Sequence, residues 1–345
     1  MVDHKITVAI IGASGYTGGE LVRLLADHPS VHIEFLSGER NASATVGSVH
    51  PWLRNHPRVA KMRFRPIAQM PEVDIAFGCL PTGALPKYLS HVSSRAKRII
   101  NLAGDFRLRD PEELRNHYPD SAEVAEKFTY FVPELSTEVG EGRFINLPGC
   151  MAVASIYALY PLFANELVQP RVVVDAKTGS SGGGRGTSDH PAERAGNFRV
   201  HKPHGHRHSP EVRQAITDFT GQIPQLQFST YSLDVPRGIL VTGYAQLREG
   251  VSALEVKRAF AAAYVGQPFV RLRSAPKKPQ DFPMLKAVIG SNLAEVSVNV
   301  RADEVVAVCA IDNLVKGAAG QAVQAMNLIT GIEETQGLPT TAVGP

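Results

Sequence analysis

Cysteine is scarce in this sequence: the 345 residues include three, Cys79, Cys150 and Cys309, and no two of them form a CxxC pair. Cysteines so few and so scattered exclude a disulfide-stapled scaffold and a cysteine-based structural zinc site, so each is interpreted as a free thiol. Uncharged apolar runs of about 18 residues, which a membrane-spanning helix needs, are also missing. The N-terminus has no signal-peptide layout, and we therefore expect a cytoplasmic protein without a membrane partner.

The sequence also carries little net charge, formally +3. A balance so close to neutral does not indicate nucleic-acid binding, although a local basic patch could still receive an acidic ligand. Apolar residues, in contrast, make up 43% of the chain. At this length that is enough for two domains with separate buried cores.

The N-terminal segment reads as a strand, a glycine-rich turn and a helix. Residues 5–11 form an apolar, β-branched run, residues 12–19 contain the spacing GxxGxxG, and residues 20–25 have a helical pattern. A second strand at 31–36 completes a β-α-β unit of the dinucleotide-binding kind, in which cofactor phosphates bind at the helix N-terminus. The alternative is an ordinary turn without a ligand.

The residues after the second strand indicate which dinucleotide is bound. Ser37 and Arg40 suit the 2′-phosphate of NADP, whereas an acidic residue at the strand tip would favour the ribose hydroxyls of NAD. Glu39 lies between them and could either repel that phosphate or pair with Arg40. We expect NADP(H).

Two further strands, 73–77 and 98–102, flank a predicted helix at 84–93 and continue the doubly wound pattern. The loops that follow these strands, 78–83 and 103–108, lie where open α/β sheets bind their ligands. We expect the first loop to line a nicotinamide pocket and Arg107, in the second, to bind an anion. A salt bridge from Arg107 to a neighbouring aspartate is the alternative.

Cys150 is the candidate nucleophile. A strand at 143–147 leads into Pro148-Gly149-Cys150, and residues 152–163 are apolar throughout, as in a buried helix. A cysteine at a helix N-terminus has its thiolate stabilised by the helix dipole and can attack a carbonyl carbon near neutral pH. Cys79 and Cys309 lie in apolar strand runs, and we interpret them as small buried hydrophobes.

From residue 171 the pattern changes to longer strands with fewer helices. The predicted strands are 171–177, 225–233, 238–247, 294–301 and 304–311, with one clear helix at 253–264. A mixed, largely antiparallel sheet with helices on one face fits this pattern. A helix at 317–330 should return to the first domain. We therefore predict an α/β fold: a Rossmann NADP-binding domain, 1–149 and 317–345, and an α+β catalytic, substrate and oligomerisation domain, 150–316.

Two polar segments of the second domain could serve the cysteine. Glycine-rich residues 178–186 include Arg185 and could cradle an oxyanion such as phosphate. Four histidines, His201, His204, His206 and His208, follow among several cations, and one is expected to act as general acid and base. A metal site is the alternative if the segment is extended, but no carboxylate or cysteine recurs at matching spacing.

A thiolate, a histidine, an NADP fold and anion-binding groups together specify a reaction. The thiolate would displace phosphate from an acyl phosphate, and hydride from NADPH would convert the resulting thioester to an aldehyde. The opposite direction, from aldehyde to acyl phosphate, stays open.

Eight short motifs, at residues 12–20, 105–108, 133–135, 148–150, 180–185, 206–211, 237–240 and 310–317, cover nearly the whole chain. In their number and order they resemble the N-acetyl-γ-glutamyl-phosphate reductases of arginine biosynthesis. By that resemblance Cys150 accepts the acyl group and His206 is the acid and base. The resemblance also implies a Rossmann domain, an α+β substrate domain and a homo-oligomer, either a dimer or a tetramer.

The predicted site, besides Cys150 and His206, has two groups of residues. The cofactor residues are Gly12, Ser14, Gly15, Tyr16, Thr17, Gly18, Ser37, Arg40, Pro81, Gly183 and Asn313, and the substrate or phosphate residues are Arg107, Ser181, Arg185, Arg199 and His208. No residue is assigned to a metal.

Segments within residues 190–208 are more similar to one branch of this family, which acts on aminoadipyl or glutamyl phosphate attached to a small acidic amino-group carrier protein. A basic rim of Arg194, Arg199, Lys202 and Arg207 would suit such a carrier by electrostatic steering. The alternative is a solvated loop without a partner.

The chain departs from the family directly after the nucleophile. Met151 and Val153 stand where the family usually has, respectively, an aromatic residue or Asn, and Thr. Two other interpretations therefore stay open. One is a catalytically silent NADP-binding regulatory protein, and the other is a carrier-binding module, which the glycine motif disfavours.

Overall fold

The computed structural model describes residues 5–121, 124–136, 142–186, 191–273 and 276–344. The chain divides into two compact units. The first comprises Met1–Pro148 and Ala318–Leu338, and the second comprises Gly149–Gly317 and Pro339–Pro345. The predicted boundaries at 149 and 317 lie within one residue of these, whereas residues 339–345 group with the second unit.

The first unit is built on a parallel sheet. Its strands are β1 (Ile6–Ile11), β2 (Val31–Leu36), β3 (Val73–Gly78), β4 (Ala96–Asn101), β5 (Thr129–Tyr130) and β6 (Phe144–Asn146). They follow the order β2-β1-β3-β4-β6-β5, and every neighbouring pair is parallel. Because the strand order reverses between β1 and β3, a crevice suited to a ligand forms at their carboxyl ends.

Helices of this unit pack against the sheet. Those that contact its strands are α1 (Tyr16–Ala26) and α3 (Leu85–Arg95), and the unit also contains α2 (Val46–Val49) and α4 (Pro111–His117). Leu89 and Val92 of α3 belong to one buried cluster with Ala9, Phe35 and Ile99 of the strands. The predicted Rossmann fold of this half is confirmed.

The second unit begins with α5 (Cys150–Ala164) and contains α6 (Pro191–Arg194), α7 (His208–Thr220) and α8 (Ala253–Tyr264). Its strands are β7 (Val168–Thr178), β8 (Arg199–Lys202), β9 (Gln225–Ser232), β10 (Ile239–Leu247), β11 (Val270–Leu272), β12 (Ala294–Arg301) and β13 (Glu304–Ile311). They follow the order β11-β12-β13-β10-β7-β9-β8. Four neighbouring pairs are antiparallel and two parallel, so the predicted mixed, largely antiparallel sheet is confirmed.

Helix α5 is the centre of the second unit. Its side chains are buried around the whole circumference, because it packs against strands β7, β10, β12 and β13 and against α7 and α8. Helix α7 corrects the prediction of one clear helix in this region, since it occupies residues for which no helix was predicted.

The last helix, α9 (Gly320–Thr330), follows a π-helical turn, Val315–Ala319, and belongs to the first unit as predicted. It contacts α1, and its Asn327 lies against His28. Within the described ranges, every helix is too short or too polar to span a bilayer.

Candidate active site

The candidate nucleophile is the first residue of α5, as the sequence predicted. Gly149 precedes it in extended conformation (φ −67°, ψ 153°), and Cys150 itself is partly exposed. The Gly149 N–H donates a hydrogen bond of 2.7 Å to Oε1 of Glu211, which is fully buried. The thiol therefore stands at the positive end of a helix whose first backbone turn is fixed by a carboxylate from another helix.

Glu211 lies in the first turn of α7, directly after the histidine-rich segment. The Gly149–Glu211 hydrogen bond joins the N-terminal ends of α5 and α7. His206 lies two residues before α7 and is 7% exposed, so the predicted acid and base leads into the helix that holds Glu211.

The ring of His206 is held by the backbone at the start of α7. Its Nδ1 is 3.1 Å from the His208 backbone nitrogen and accepts that N–H, and the two imidazole rings are 4.7 Å apart. Because Nδ1 is the acceptor, a neutral His206 carries its proton on Nε2. The nitrogen that can exchange a proton with a ligand is therefore Nε2.

The other histidines do not form the extended array on which the metal alternative depended. His201 and His204 are exposed, whereas His208 is buried and begins α7. In the described part of the chain, no group of three or more His, Cys, Asp or Glu side chains is arranged to hold a metal ion.

The glycine-rich loop of the second unit is fastened by Asn313. Its Nδ2 donates to Ser181 Oγ (2.9 Å), and its Oδ1 accepts the Gly238 N–H (2.7 Å). Gly183 and Arg185 are exposed on this loop. The side chains of Asn313 and Ser181 therefore bind each other. The contact of Asn313 with the cofactor and that of Ser181 with the substrate stay predictions.

In the first unit, the glycine turn lies at the switch point between β1 and β3. A side chain on Gly12 would meet the Cys79 carbonyl oxygen at 2.7 Å, and one on Gly18 would meet the Gly12 carbonyl oxygen at 2.5 Å. Gly15 is the N-cap residue of α1 and provides no side-chain hydrogen bond to the first turn. Turn and helix N-terminus thus fit a dinucleotide pyrophosphate, with the predicted Ser14, Tyr16 and Thr17 around them.

The residues after β2 differ in their exposure and in their hydrogen bonds. Ser37 is 1% exposed, and its Oγ accepts the Gly12 N–H (2.8 Å), so this hydroxyl orders the glycine turn. Arg40 is exposed. Glu39 accepts the Ile67 N–H (2.7 Å), so its carboxylate is engaged with the backbone.

The loops after β3 and β4 are joined by Asp105. Its Oδ1 accepts the Gly83 N–H (2.9 Å) and the Ser121 hydroxyl (3.0 Å), and burial raises its pKa. Arg107 is 5% exposed and donates to the Leu102 carbonyl oxygen, so its guanidinium is engaged inside its own loop. Pro81 is exposed.

Of the remaining cysteines, Cys309 is fully buried in β13, as predicted. Cys79 lies directly after β3 and is partly exposed, so the prediction of a buried strand residue is wrong there, although desolvation still raises the pKa of its thiol. Met151 and Val153, where the chain departs from the family motif, are 5% and 0% exposed. Both departures are therefore packing positions of α5.

Sequence reasoning missed two buried residues that support these turns. Glu211 belongs to the 206–211 motif, but its partner lies 62 residues away. His50 lies behind the glycine turn, where its Nε2 is 2.9 Å from the Ala13 carbonyl oxygen and its ring leaves no room for a side chain at Gly19. No motif or periodicity in the sequence indicates this position of His50.

The comparisons with known proteins agree with this architecture. Residues 7–141 match the family model "Semialdehyde dehydrogenase, NAD binding domain", and residues 150–313 match "Semialdehyde dehydrogenase, dimerisation domain". Aspartate semialdehyde dehydrogenase II of Vibrio cholerae, solved with ASA, has a similar fold, with a TM-score of 0.71 at 16% identity over 95% of this chain and 98% of that one. The class is thus an oxidoreductase with a NAD-binding domain.

Two curated relatives narrow this class. N-acetyl-gamma-glutamyl-phosphate reductase 1 of Lactiplantibacillus plantarum is 41% identical over 97% of this chain and 98% of its own length. The putative [LysW]-L-2-aminoadipate 6-phosphate reductase of Thermomicrobium roseum is 38% identical over 99% of both chains. The chain therefore belongs to the semialdehyde dehydrogenase family, in the group of the N-acetyl-γ-glutamyl-phosphate and LysW-linked phosphate reductases, which confirms the resemblance inferred from its motifs.

Proposed function

We propose that the protein reduces an amino-protected γ-glutamyl or δ-aminoadipyl phosphate to its semialdehyde, with release of phosphate, in arginine- or lysine-type biosynthesis. The observation that carries this proposal is the junction of α5 and α7. It presents the thiol of Cys150 at a helix N-terminus that Glu211 of α7 holds in place, and His206, whose Nδ1 is already engaged, lies two residues before α7.

In the proposed reaction, the Cys150 thiolate attacks the acyl carbon, and the bond from carbon to the phosphate oxygen breaks, which leaves a thioester. Bound NADPH supplies hydride to the thioester carbonyl. His206 donates its Nε2 proton to the resulting oxyanion and takes it back as the carbon–sulfur bond breaks, so that the aldehyde leaves and the thiolate is restored.

We assign NADP(H) binding to the first unit, through the glycine turn and the N-terminus of α1. Arg40 supports NADP over NAD because it is a cation at the tip of β2, and the Glu39 carboxylate next to it is occupied by the Ile67 N–H. We assign substrate binding to the second unit, with Ser181, Arg185, Arg199 and His208 as its polar contacts.

The test is phosphate-dependent reduction of NADP⁺ by the semialdehyde. Cys150→Ala should lower kcat by about a thousand-fold or more, because the substitution removes the thiolate that forms the thioester. Cys309→Ala is the matched control and should keep activity, because Cys309 is a core residue of β13. Turnover that survives Cys150→Ala would rule out the thioester route.

A carrier protein as the protecting group is supported by the edge strand β8. Val200 on β8 is 54% exposed and Phe198, directly before the strand, is 61% exposed, and the centroid of the Phe198 ring lies 5.7 Å from that of Tyr231. Arg199 and Lys202 lie on β8 itself, and Arg194 and Arg207 precede and follow it in the chain. An exposed apolar centre with a basic rim on a sheet edge suits a small acidic protein.

Comparing KM for a carrier-linked substrate with KM for an acetylated substrate shows which group protects the amino nitrogen. Arg194→Glu should raise KM for the carrier-linked acyl phosphate by about ten-fold while sparing the acetylated one, because the charge reversal opposes an acidic partner and Arg194 is not among the proposed substrate contacts. Lys257→Glu, on the exposed face of α8, is the matched control. Equal effects on both substrates, or activity with the acetylated compound alone, would exclude the carrier.

We further propose a homo-oligomer, a dimer or tetramer, formed through the sheet face opposite α5. On β7, Val172, Val174 and Ala176 are buried under the helices, whereas Val173 and Lys177 on the other face are partly exposed. Tyr244 on the neighbouring β10 is 43% exposed. Light scattering that gives the mass of a monomer would contradict this assembly.

A further inference from the structure

One short segment, residues 312–317, connects three parts of the second unit. Asn313 fastens the Ser181 loop to Gly238, as described above. Gly317 lies against the nucleophile: a side chain there would meet Cβ of Cys150 at 2.7 Å. Gly317 also donates its N–H to the Asp312 carbonyl oxygen (2.9 Å). Gly317 therefore links Asp312 to Cys150: its N–H binds the Asp312 carbonyl oxygen, and its Cα packs beside Cys150.

The carboxylate of Asp312 is fully buried and extensively hydrogen-bonded. Its Oδ1 accepts the N–H groups of Leu314 (2.8 Å) and Val315 (3.2 Å), and its Oδ2 accepts that of Gly290 (2.7 Å). These donors offset the cost of burying the charge and fix its position.

The same carboxylate holds a cation that reaches the surface. Arg237 Nη1 is 3.3 Å from Asp312 Oδ2, and the arginine side chain is 29% exposed. Arg237 was part of a recognised sequence motif, but it received no role in the predicted site.

Arg237 is also adjacent to the glycine-rich loop predicted to cradle an oxyanion. The N–H groups of Ser180 and Ser181 donate to the carbonyl oxygens of Val235 (2.8 Å) and Pro236 (3.0 Å). A side chain at Gly179 would come within 3.0 Å of the Arg237 backbone. Backbone hydrogen bonds thus join the glycine-rich loop to residues 235–236, which directly precede the arginine that Asp312 holds.

We propose that Arg237 binds an oxyanion of the substrate, either its carboxylate or its phosphoryl group. A guanidinium held by a buried carboxylate is oriented in advance, and its planar fork matches both oxyanions. The proposal rests on the proposed function for the identity of the substrate, and it adds a binding residue to that site.

The kinetic test uses the full-length enzyme with semialdehyde, phosphate and NADP⁺. Arg237→Gln should raise KM for one of the two anionic substrates by roughly 10- to 100-fold, the range expected when a charge-assisted hydrogen bond is lost. KM for NADP⁺ should not change, and ethylguanidinium should restore part of the activity of Arg237→Ala. A rise in KM for phosphate identifies the phosphoryl group, and a rise in KM for the semialdehyde identifies the carboxylate.

A matched control is Arg273→Gln. Arg273 is 40% exposed and lies 3.9 Å from the largely buried Glu295 in the same unit, so it tests the loss of a similar ion pair elsewhere. Its KM values should equal those of the wild type. If Arg237→Gln lowers only thermal stability and leaves both KM values intact, the arginine is a structural ion-pair partner and the proposal is overturned.

A binding measurement separates this proposal from the proposed function. Calorimetric titration with inorganic phosphate and with glutarate needs no turnover. Loss of either affinity in Arg237→Gln supports the anion site even if the wild type reduces no acyl phosphate. Equal binding by the wild type and the variant, or binding by neither, overturns it.

Discussion

At the residue scale, the nucleophile depends on a contact that no local pattern contains. The Gly149 N–H, buried at the start of α5, has Glu211 Oε1 as its acceptor. A buried N–H without an acceptor loses its hydration and gains nothing in return. Glu211 therefore acts as a positioning residue for the turn that carries Cys150.

Glu211→Ala should lower the free energy of unfolding by about 1–3 kcal/mol and reduce kcat, because the Gly149 N–H loses its acceptor. Glu211→Gln should recover most of both quantities, since an amide oxygen can accept the same hydrogen bond. Denaturant unfolding and steady-state kinetics measure these effects. Substitution of Glu255, whose carboxylate caps the exposed start of α8, provides the control.

The positioning role is distinguished from a purely structural one by the reactivity of Cys150. Alkylation by iodoacetamide should slow in Glu211→Ala and recover in Glu211→Gln, while KM for NADP⁺ stays constant. Alkylation at the wild-type rate in all three proteins would show that Glu211 stabilises the fold without orienting the thiol.

The position of a single residue could be predicted from the sequence where a local backbone feature, such as a helix N-terminus, determines it. Cys150 was predicted at a helix N-terminus because an apolar run follows Pro148 and Gly149, and it is found there. Ser37 shows the limit of that reasoning. Its position at the strand tip was evident, but the packing of β1 beside β2 decides that its hydroxyl accepts the Gly12 N–H.

At the element scale, long apolar strands were predictable and helix α7 was not. Its apolar positions Val212, Ala215 and Ile216 have helical spacing, and Pro210 is tolerated in a first turn. The helix was not predicted because its first residues continue a run of cations and histidines that has no helical periodicity. The short strands β5, β8 and β11 were missed because two to four residues are too few to show a period.

Helix α9 is fastened to the rest of the first unit by a buried histidine. His28 is fully buried between Asn327, at 3.2 Å from its Nε2, and the Ser30 N–H, at 3.3 Å from its Nδ1. Gly337 must be glycine because a side chain there would meet the His28 ring at 2.3 Å. Burial lowers the pKa of His28, so the folded state favours the neutral ring.

The lowered pKa makes this attachment sensitive to acid. Because the unfolded chain binds the His28 proton more readily, stability is complete above a pH of about 6.5 and is lost as the pH falls below it, by at most about 1.4 kcal/mol per unit. Denaturant unfolding at pH 7 and pH 5 should show a smaller loss for His28→Gln than for the wild type. His32→Gln, an exposed histidine of β2, should match the wild type. An equal loss in all three would remove His28 as the cause.

At the scale of the whole molecule, the change from alternating strands and helices to longer strands indicated two units, and this reasoning needed no contacts. It worked because a parallel sheet requires a helix between successive strands, whereas an antiparallel sheet does not. The fastening of the Ser181 loop by Asn313 could not be predicted in the same way, since it joins residues 132 positions apart.

The first unit is assembled from two separate stretches of chain, with the whole of residues 149–317 between them. During synthesis on the ribosome, the parallel sheet of this unit is therefore made long before α9. This helix contacts α1, and its Asn327 lies against His28. Until α9 emerges, the nascent first unit keeps an uncovered apolar surface. Completion of the cofactor-binding half thus waits for α9, and a chain cut before residue 318 holds Cys150 and His206 but an unfinished nucleotide domain.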